Sequence, residues 1–243
     1  MASTNHRVPE NRLLDALSRR ERDRVAPFIE TVSLVSRETL QTEGEAIRYA
    51  VFPTNAVTST LMELPEGDSV EVGLMGAEGV VGLELLYGQR YANATVIVQI
   101  PGDGVRIEAD VFEREVVKNG GEFHRLLLRY ANMFSAMVAQ GAACNASHAI
   151  EQRLARWILL VHDRVGAAEF PLTHEFIALM LGVRRASVSE AASRLRLAGA
   201  IDYRTRTIRV SDRSALELAS CGCYAVMQRL SDNIFLDVFG GAH

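Results

Sequence analysis

Apolar positions along the chain change their period from one region to the next. From Arg12 to about Phe28 they fall at helical spacing, with Leu13, Leu14, Leu17, Val25 and Phe28 as the apolar set. This predicts a short amphipathic helical region. From Thr31 to Val111 the pattern becomes strand-like. The runs Ala50–Phe52, Val57–Leu61, Val70–Leu74, Thr95–Gln99 and Val105–Ile107 are β-rich. Turn signals separate them: Glu43-Gly44, Pro53-Thr54-Asn55, Pro65-Glu66-Gly67-Asp68, Gly76, Gly79 and Pro101-Gly102-Asp103-Gly104. Short strands at this spacing predict a small barrel or jelly roll. Residues 1–8 lack any such pattern and read as disordered.

A long helical pattern begins at Phe123. Phe123, Leu126, Tyr130, Met133, Met137, Gln140 and Cys144 step by three and four, a heptad seam. Leu127, Ala131, Phe134 and Val138 form a second row on a neighbouring face. The expectation is a dimerisation helix over 122–146, one row meeting a partner helix and the other packing on the roll; the alternative is a helix buried inside one domain. Gly141–Ser147 is small and polar and reads as a hinge. Ile150, Leu154, Trp157, Ile158, Val161 and Val165 predict a further amphipathic helix. From Ser214 to about Phe239 the period is again helical, with Leu216, Ala219, Tyr224, Met227 and Leu230 as contacts.

Between these last helices lies the most informative stretch, Leu172–Val210. Thr173 is a good N-cap, and Ile177, Met180 and Leu181 make an inner face. Gly182 supplies a turn at which a positive φ costs little. A second helix starts near Arg185, with Val188, Ala191, Ala192 and Leu195 facing inward. Its outer face carries Arg185, Ser187, Ser189, Glu190 and Arg194. Gly199 ends it. Ile201–Tyr203 and Thr207–Val210 then alternate like two strands around Arg204, Thr205 and Arg206. This is the layout of a helix-turn-helix with a basic wing, whose second helix enters a DNA major groove.

Charge supports that reading. From Glu151 to Arg213 there are 11 Arg and 7 acidic residues, a net +4, in a chain of net −4. A basic module thus sits on an acidic carrier. Lys118 is the only lysine against 25 arginines, so phosphate contacts fall to Arg, Ser, Thr, His and backbone amides. At 243 residues the chain has room for two small domains. No window approaches 18 uncharged apolar residues, so no membrane span is expected. The first residues lack the apolar core of a secretory signal, and a cytoplasmic location is expected.

The order of roll, long helix and winged helix-turn-helix, with LTHEFIALMLGVRRASVSEAASRLRLAGAIDY at 172–203, resembles the Crp/Fnr family of bacterial transcription regulators. The resemblance spans Asn11 to Cys223 and includes the ending Cys221-Gly222-Cys223-Tyr224. It implies an α+β chain: a cyclic-nucleotide-binding-like β-roll over 11–121, a dimerisation helix over 122–146 and a winged helix-turn-helix domain over 147–243. It also implies a homodimer on double-stranded DNA with a two-fold symmetric operator, RNA polymerase as a partner, and a small-molecule effector in the roll. Thr173 sits where the family holds phosphate with a hydroxyl, and Arg185 where it places a base-reading arginine. Arginine there can pair with guanine O6 and N7. His174, Arg184, Ala186, Ser187, Ser189, Glu190, Arg194, Arg204 and Arg206 complete the expected DNA set. Ala186 stands where the next reader is often Glu, and Glu190 where some members carry a second Arg, so the operator sequence does not carry over.

The effector cassette departs further. Cyclic-nucleotide binders in the family carry Gly-Glu-Leu and then Arg-Ser-Ala before a strand. Here the corresponding residues are Gly82, Leu83, Glu84 and Arg90, Ala92, Asn93. Aligned on Ala94-Thr95-Val96, the phosphate arginine becomes Ala92 and the ribose glutamate Leu83. Arg90 and Glu84 lie nearby, displaced by two residues and by one, and a one-residue slip in a strand reverses a side chain. A phosphate without its arginine loses roughly 1.5–3 kcal/mol. Cyclic AMP is therefore not the expected effector.

No cofactor or metal is expected. Three cysteines, none N-terminal, are too few for the usual four ligands of an iron–sulfur cluster. Cys144 and His148 share a helix face at i, i+4, and Cys221-x-Cys223 offers a thiol pair, but both read as packed residues. His124 and His162 read as surface residues. No nucleophile elbow, P-loop or dinucleotide fingerprint is present, so no enzyme is expected. The alternative is a nucleotide-binding regulatory protein that acts through protein partners without touching DNA.

Overall fold

In a computed structural model, which describes residues 11–204 and 206–239, the N-terminal region is tied down by one polar side chain. The stretch 1–8 and Thr205 lie outside the described residues. Asn11, fully buried, caps α1 (Arg12–Asp15) by accepting from Leu13 N at 3.0 Å. Its amide donates to Pro53 O at 2.8 Å and Gly79 O at 3.0 Å. The helical region read from Arg12 to Phe28 is broken in two. Ser18 caps α2 (Arg19–Val25), which runs into a short 3-10 turn over Ala26–Phe28.

Seven strands follow: β1 (Glu30–Leu34), β2 (Thr39–Gln41), β3 (Tyr49–Pro53), β4 (Val57–Glu63), β5 (Ser69–Met75), β6 (Thr95–Ile100) and β7 (Gly102–Glu108). They form two antiparallel sheets, ordered β1-β7-β3 and β2-β6-β4-β5. Leu34, Val51, Ala56, Met75, Val81, Val96 and Val98 fill the space between them. The roll predicted from turn spacing is thus formed. β1 and β2 are additional to the strands the pattern predicts: their burial alternates weakly, with most of their residues exposed or half-buried. Gly73 sits in β5 because a Cβ there would overlap the Phe134 ring.

After the roll come α3 (Ala109–Phe112), a π-helical turn over Glu113–Lys118, and the 27-residue α4 (Gly121–Ser147). Here two expectations are corrected. Gly141–Ser147 is helical, and the break falls at His148 and Ala149, whose backbones are extended. The seam from Phe123 is also not free for a partner. Phe123, Leu126, Tyr130 and Met133 are buried in the chain's own core, with Phe52 and Phe112 rings 5.9 and 6.4 Å from Phe123. Met137 is half-buried, Gln140 bonds to Cys223, and Cys144 packs on Cys221 and Cys223. The second row fares alike: Leu127 and Ala131 are buried, Phe134 and Val138 half-buried.

The C-terminal part comprises α5 (Ile150–Val165), β8 (Glu169–Pro171), α6 (His174–Leu181), α7 (Arg185–Leu197), β9 (Ile201–Arg204), β10 (Thr207–Val210), α8 (Arg213–Ala219) and α9 (Cys223–Phe239). The single tail helix expected from Ser214 is two helices, parted at Ser220–Gly222. α9 returns along α4, placing Ile234 and Phe235 in the same core as Met133. No helix of the described residues is long and apolar enough to cross a membrane.

Candidate nucleic-acid interface

The predicted helix-turn-helix is built from local rules. Thr173 Oγ1 accepts from Phe176 N at 3.2 Å and starts α6. Gly182 ends it at φ 60°, where a Cβ would press on Val70 of β5 at 3.2 Å. Val188, Ala191, Ala192 and Leu195 of α7 are buried. Their packing leaves Arg184, Arg185, Ala186, Glu190 and Arg194 exposed, with Ser187 and Ser189 half-buried beside them. β8, too short to read in the sequence, pairs with β10 and extends the wing to three strands, β8-β10-β9. Arg204 and Arg206 are exposed at its tip.

Ion pairs hold this surface lightly. Arg185 Nε lies 2.9 Å from Glu175 Oε1, and both side chains are exposed. Such a pair contributes ~0–1 kcal/mol, so a nucleic-acid acceptor can replace it. Arg194 pairs with Glu151, and Arg204 lies 3.8 Å from Asp202. His174 is different. Its ring packs on Tyr203 at 4.2 Å, its Nδ1 is 3.0 Å from Ser189 Oγ, and Tyr203 Oη donates to Leu172 O at 3.1 Å. Burial, then the Arg185 charge, push its pKa below the usual histidine value. A neutral His174 therefore braces the wing against α7.

Thr173, His174, Arg185 and Arg206 line a cleft of about 770 Å³. Its opposite wall is Ser36, Arg37 and Gln99 of the roll. Arg37 stands at φ 68°, a left-handed backbone uncommon for arginine. Periodicity gives no hint of Ser36 and Arg37, because they lie in a turn brought close only by tertiary packing.

The effector cassette is divided. Gly82, Leu83, Glu84 and Asn93 line one cavity of about 200 Å³, with Gln41, Thr60, Phe134 and Ser135. Glu84 Oε1 accepts from Gln41 Nε2 at 2.7 Å and from Asn93 N at 3.2 Å. The strand argument for Glu84 fails, because Leu83–Tyr87 is a 3-10 turn and Glu84 does reach the cavity. Arg90 does not: it pairs with Asp110 and Glu113 on the surface. Ala92 is buried outside the cavity lining. No arginine or lysine lines this cavity among the described residues.

Roll and helix-turn-helix meet at Glu71 of β5. Trp157 Nε1 donates to its Oε1 at 2.7 Å, while its enclosed Oε2 has no partner. Burial, against the hydrogen bond from Trp157 and the charges of Arg156 and Arg164, pushes this carboxyl up to about 7. His162 is not a free surface residue; its Nδ1 lies 2.9 Å from Arg213. Cys144, His148, Cys221 and Cys223, read as two separate pairs, converge at one place.

The described architecture is that of a β-roll carrying a winged helix-turn-helix. Residues 152–219 match the family model described as the Crp-like helix-turn-helix domain. The whole fold is that of Crp/Fnr-family transcriptional regulators. A CRP-family regulator from Thermus thermophilus is 22% identical, with a TM-score of 0.66 over 78% of this chain and 96% of its own. FixK2 from Bradyrhizobium japonicum is 17% identical, with a TM-score of 0.68 over 80% and 98%. The c-di-GMP-responsive regulator CLP from Xanthomonas campestris is 12% identical, with a TM-score of 0.66 over 80% and 100%. No curated protein matches the chain in sequence.

Proposed function

We propose that the chain is a homodimeric transcription regulator that reads a two-fold symmetric operator in double-stranded DNA. The observation that carries this is the α7 face. Arg185, Ser187, Ser189, Glu190 and Arg194 project from one side of a helix whose other side is locked by Val188, Ala191, Ala192 and Leu195. Arg185 reads a base edge, and Thr173, Arg184, Arg204 and Arg206 hold phosphates. A duplex approaching along α7 also meets Ser36 and Arg37 across the cleft, so DNA binding is coupled to how the domain sits on the roll.

Two half-sites one helical turn apart require a dimer. The partner surface is not the apolar seam but the opposite side of α4. Arg125, Leu128, Asn132, Ser135, Ala139, Ala142 and Ala146 are all exposed and step by three and four. Small residues there let a second α4 approach closely. In the roll, the cavity offers Gln41, Glu84, Thr60 and Asn93 but no cation, which suits an uncharged polar effector and not a cyclic nucleotide. RNA polymerase is the partner for activation.

Binding-site selection with the purified chain, followed by salt titration on the selected duplex, tests the reading. A palindromic consensus with affinity falling steeply in salt is expected. Retention of no sequence above background would overturn it. Calorimetry is expected to find no micromolar binding of cyclic AMP.

A further inference from the structure

Two stretches far apart in sequence meet at the C-terminal end of α4. Cys144 and His148 occupy the last turn and C-cap of α4; Cys221 and Cys223 flank the turn between α8 and α9. Cys144 Sγ and Cys221 Sγ are 3.4 Å apart, and Cys223 Sγ and His148 Nδ1 3.7 Å. All four donor atoms lie within 4.8 Å of one another. A tetrahedral zinc, with Zn–S near 2.3 Å and Zn–N near 2.0–2.1 Å, holds its donors about 3.5–3.8 Å apart. The cluster is thus already near the size of one ion's coordination shell, too tight to enclose a multi-iron cluster. All three cysteines are buried and His148 is half-buried, so the shell is closed.

The surroundings fit an anionic centre. Gln140 Nε2 donates to Cys223 Sγ at 3.1 Å, the kind of outer hydrogen bond that steadies a metal-bound thiolate. Arg153 and Arg156 are buried nearby, and neither has an ion pair among the described residues. Arg156 Nε is buried without any hydrogen-bond partner. One divalent ion on three thiolates and an imidazole carries a net single negative charge, which answers these cations.

We propose that Cys144, His148, Cys221 and Cys223 bind one structural zinc ion that clamps the end of α4 to the α8–α9 turn. Three soft thiolates with one imidazole in tetrahedral array select zinc, and no position is left open for substrate. The clamp spans the break at His148–Ala149, where the long helix passes into the helix-turn-helix domain. Each bound thiol releases its proton to solvent on metal binding.

The test uses the full chain, purified under reductant. Elemental analysis is expected to give one zinc and no iron per chain. Exchange into cobalt should produce the visible bands of a tetrahedral thiolate site. Cys221→Ser/Cys223→Ser should lose both signals. His148→Ala, which removes a half-buried ligand and leaves the core intact, should weaken zinc at least about tenfold against a chromophoric chelator. Circular dichroism checks that each variant is folded. Metal-free wild type with no cobalt spectrum would overturn the proposal. So would a spectrum unchanged in a folded double-serine variant, a chain holding iron and sulfide, or a Cys144–Cys221 disulfide as the stable state under reductant.

Discussion

Helices α7 and α4 carry apolar patterns of similar clarity, yet the patterns mean different things. In α7 the apolar row packs on α5 and α6, and what remains outside is the set that can touch DNA. In α4 both apolar rows are buried or half-buried within the same chain, the first against the roll and α9. The surface left for a partner is a heptad of arginine, leucine, asparagine, serine and alanines. A hydrophobic period reports which side is covered, not what covers it. For α7 the cover is adjacent in sequence. For α4 it is the roll that precedes it together with α9, nearly a hundred residues later.

The largest effects should separate the two sides of α4. Met133→Glu buries a charge against Ile234 and Phe235, and Tyr130→Ala empties a fully buried site, a loss of ~3–5 kcal/mol for a large aromatic. Both should lower the urea midpoint sharply. Ala139→Glu/Ala142→Glu alters only exposed positions and should leave the midpoint nearly unchanged while light scattering falls to the monomer mass. An unaltered dimer mass in that double variant would remove the exposed row as the interface.

A second effect of similar size concerns the junction that joins the two regions. Glu71 holds its proton up to about 7 when folded, against an ordinary value of 4.5. The folded state therefore binds a proton that the unfolded chain releases. This contribution is full below about pH 4.5 and is lost as pH rises through about 7, a difference of about 3 kcal/mol. Glu71→Gln keeps an acceptor for Trp157 and removes the charge. Its Tm should exceed wild type at about pH 8, with the gap closing toward about pH 5. Parallel profiles for the two proteins would show that Glu71 does not titrate in this range.

How much of this is legible in the sequence follows from the same contrast. The roll, the long helix and the winged helix-turn-helix are readable because each repeats a local period between turn signals. So is the α7 face, since Gly182 and the inner row fix its rotation. The rest depends on distant packing. β8 has three residues and exists only through β10. Gly141–Ser147 looks like a hinge by composition, but Cys144 within it is buried against Cys221 and Cys223, which keeps that turn helical. Glu84 is misread as facing away because a 3-10 turn, not a strand, presents it. Thiols and imidazole 75 to 77 residues apart give no local signal of convergence.

Within the helix-turn-helix, smaller effects should sort base readers from phosphate holders. Arg185→Ala should cost ~1–3 kcal/mol and flatten preference at one symmetric base pair in each half-site. Arg206→Ala should weaken all sequences alike and reduce the salt slope by about one. If Arg185→Ala keeps the full wild-type preference in a binding-site selection, its role is the Glu175 pair alone.

Thr173 gives the finest discrimination, because one hydroxyl is assigned two tasks. As a cap it accepts from Phe176 N, and losing that bond should cost about 1 kcal/mol. As a phosphate donor its hydroxyl lines the cleft with Arg185 and Arg206, and losing it should weaken binding to all sequences alike by about 1 kcal/mol while leaving the salt slope unchanged, because an uncharged donor releases no counterion. The tasks are compatible, since the oxygen accepts from the backbone while its proton remains available. Thr173→Ala should therefore lower both the melting temperature and the DNA affinity, and Thr173→Ser should restore both. Thr173→Asp separates them. A carboxylate caps a helix as well as a hydroxyl does, so stability should stay near wild type. It has no proton to donate and repels phosphate, so DNA affinity should fall below that of the alanine variant. A Thr173→Asp protein that is stable and binds like wild type would confine Thr173 to its cap, and phosphate anchoring would then rest on the arginines alone.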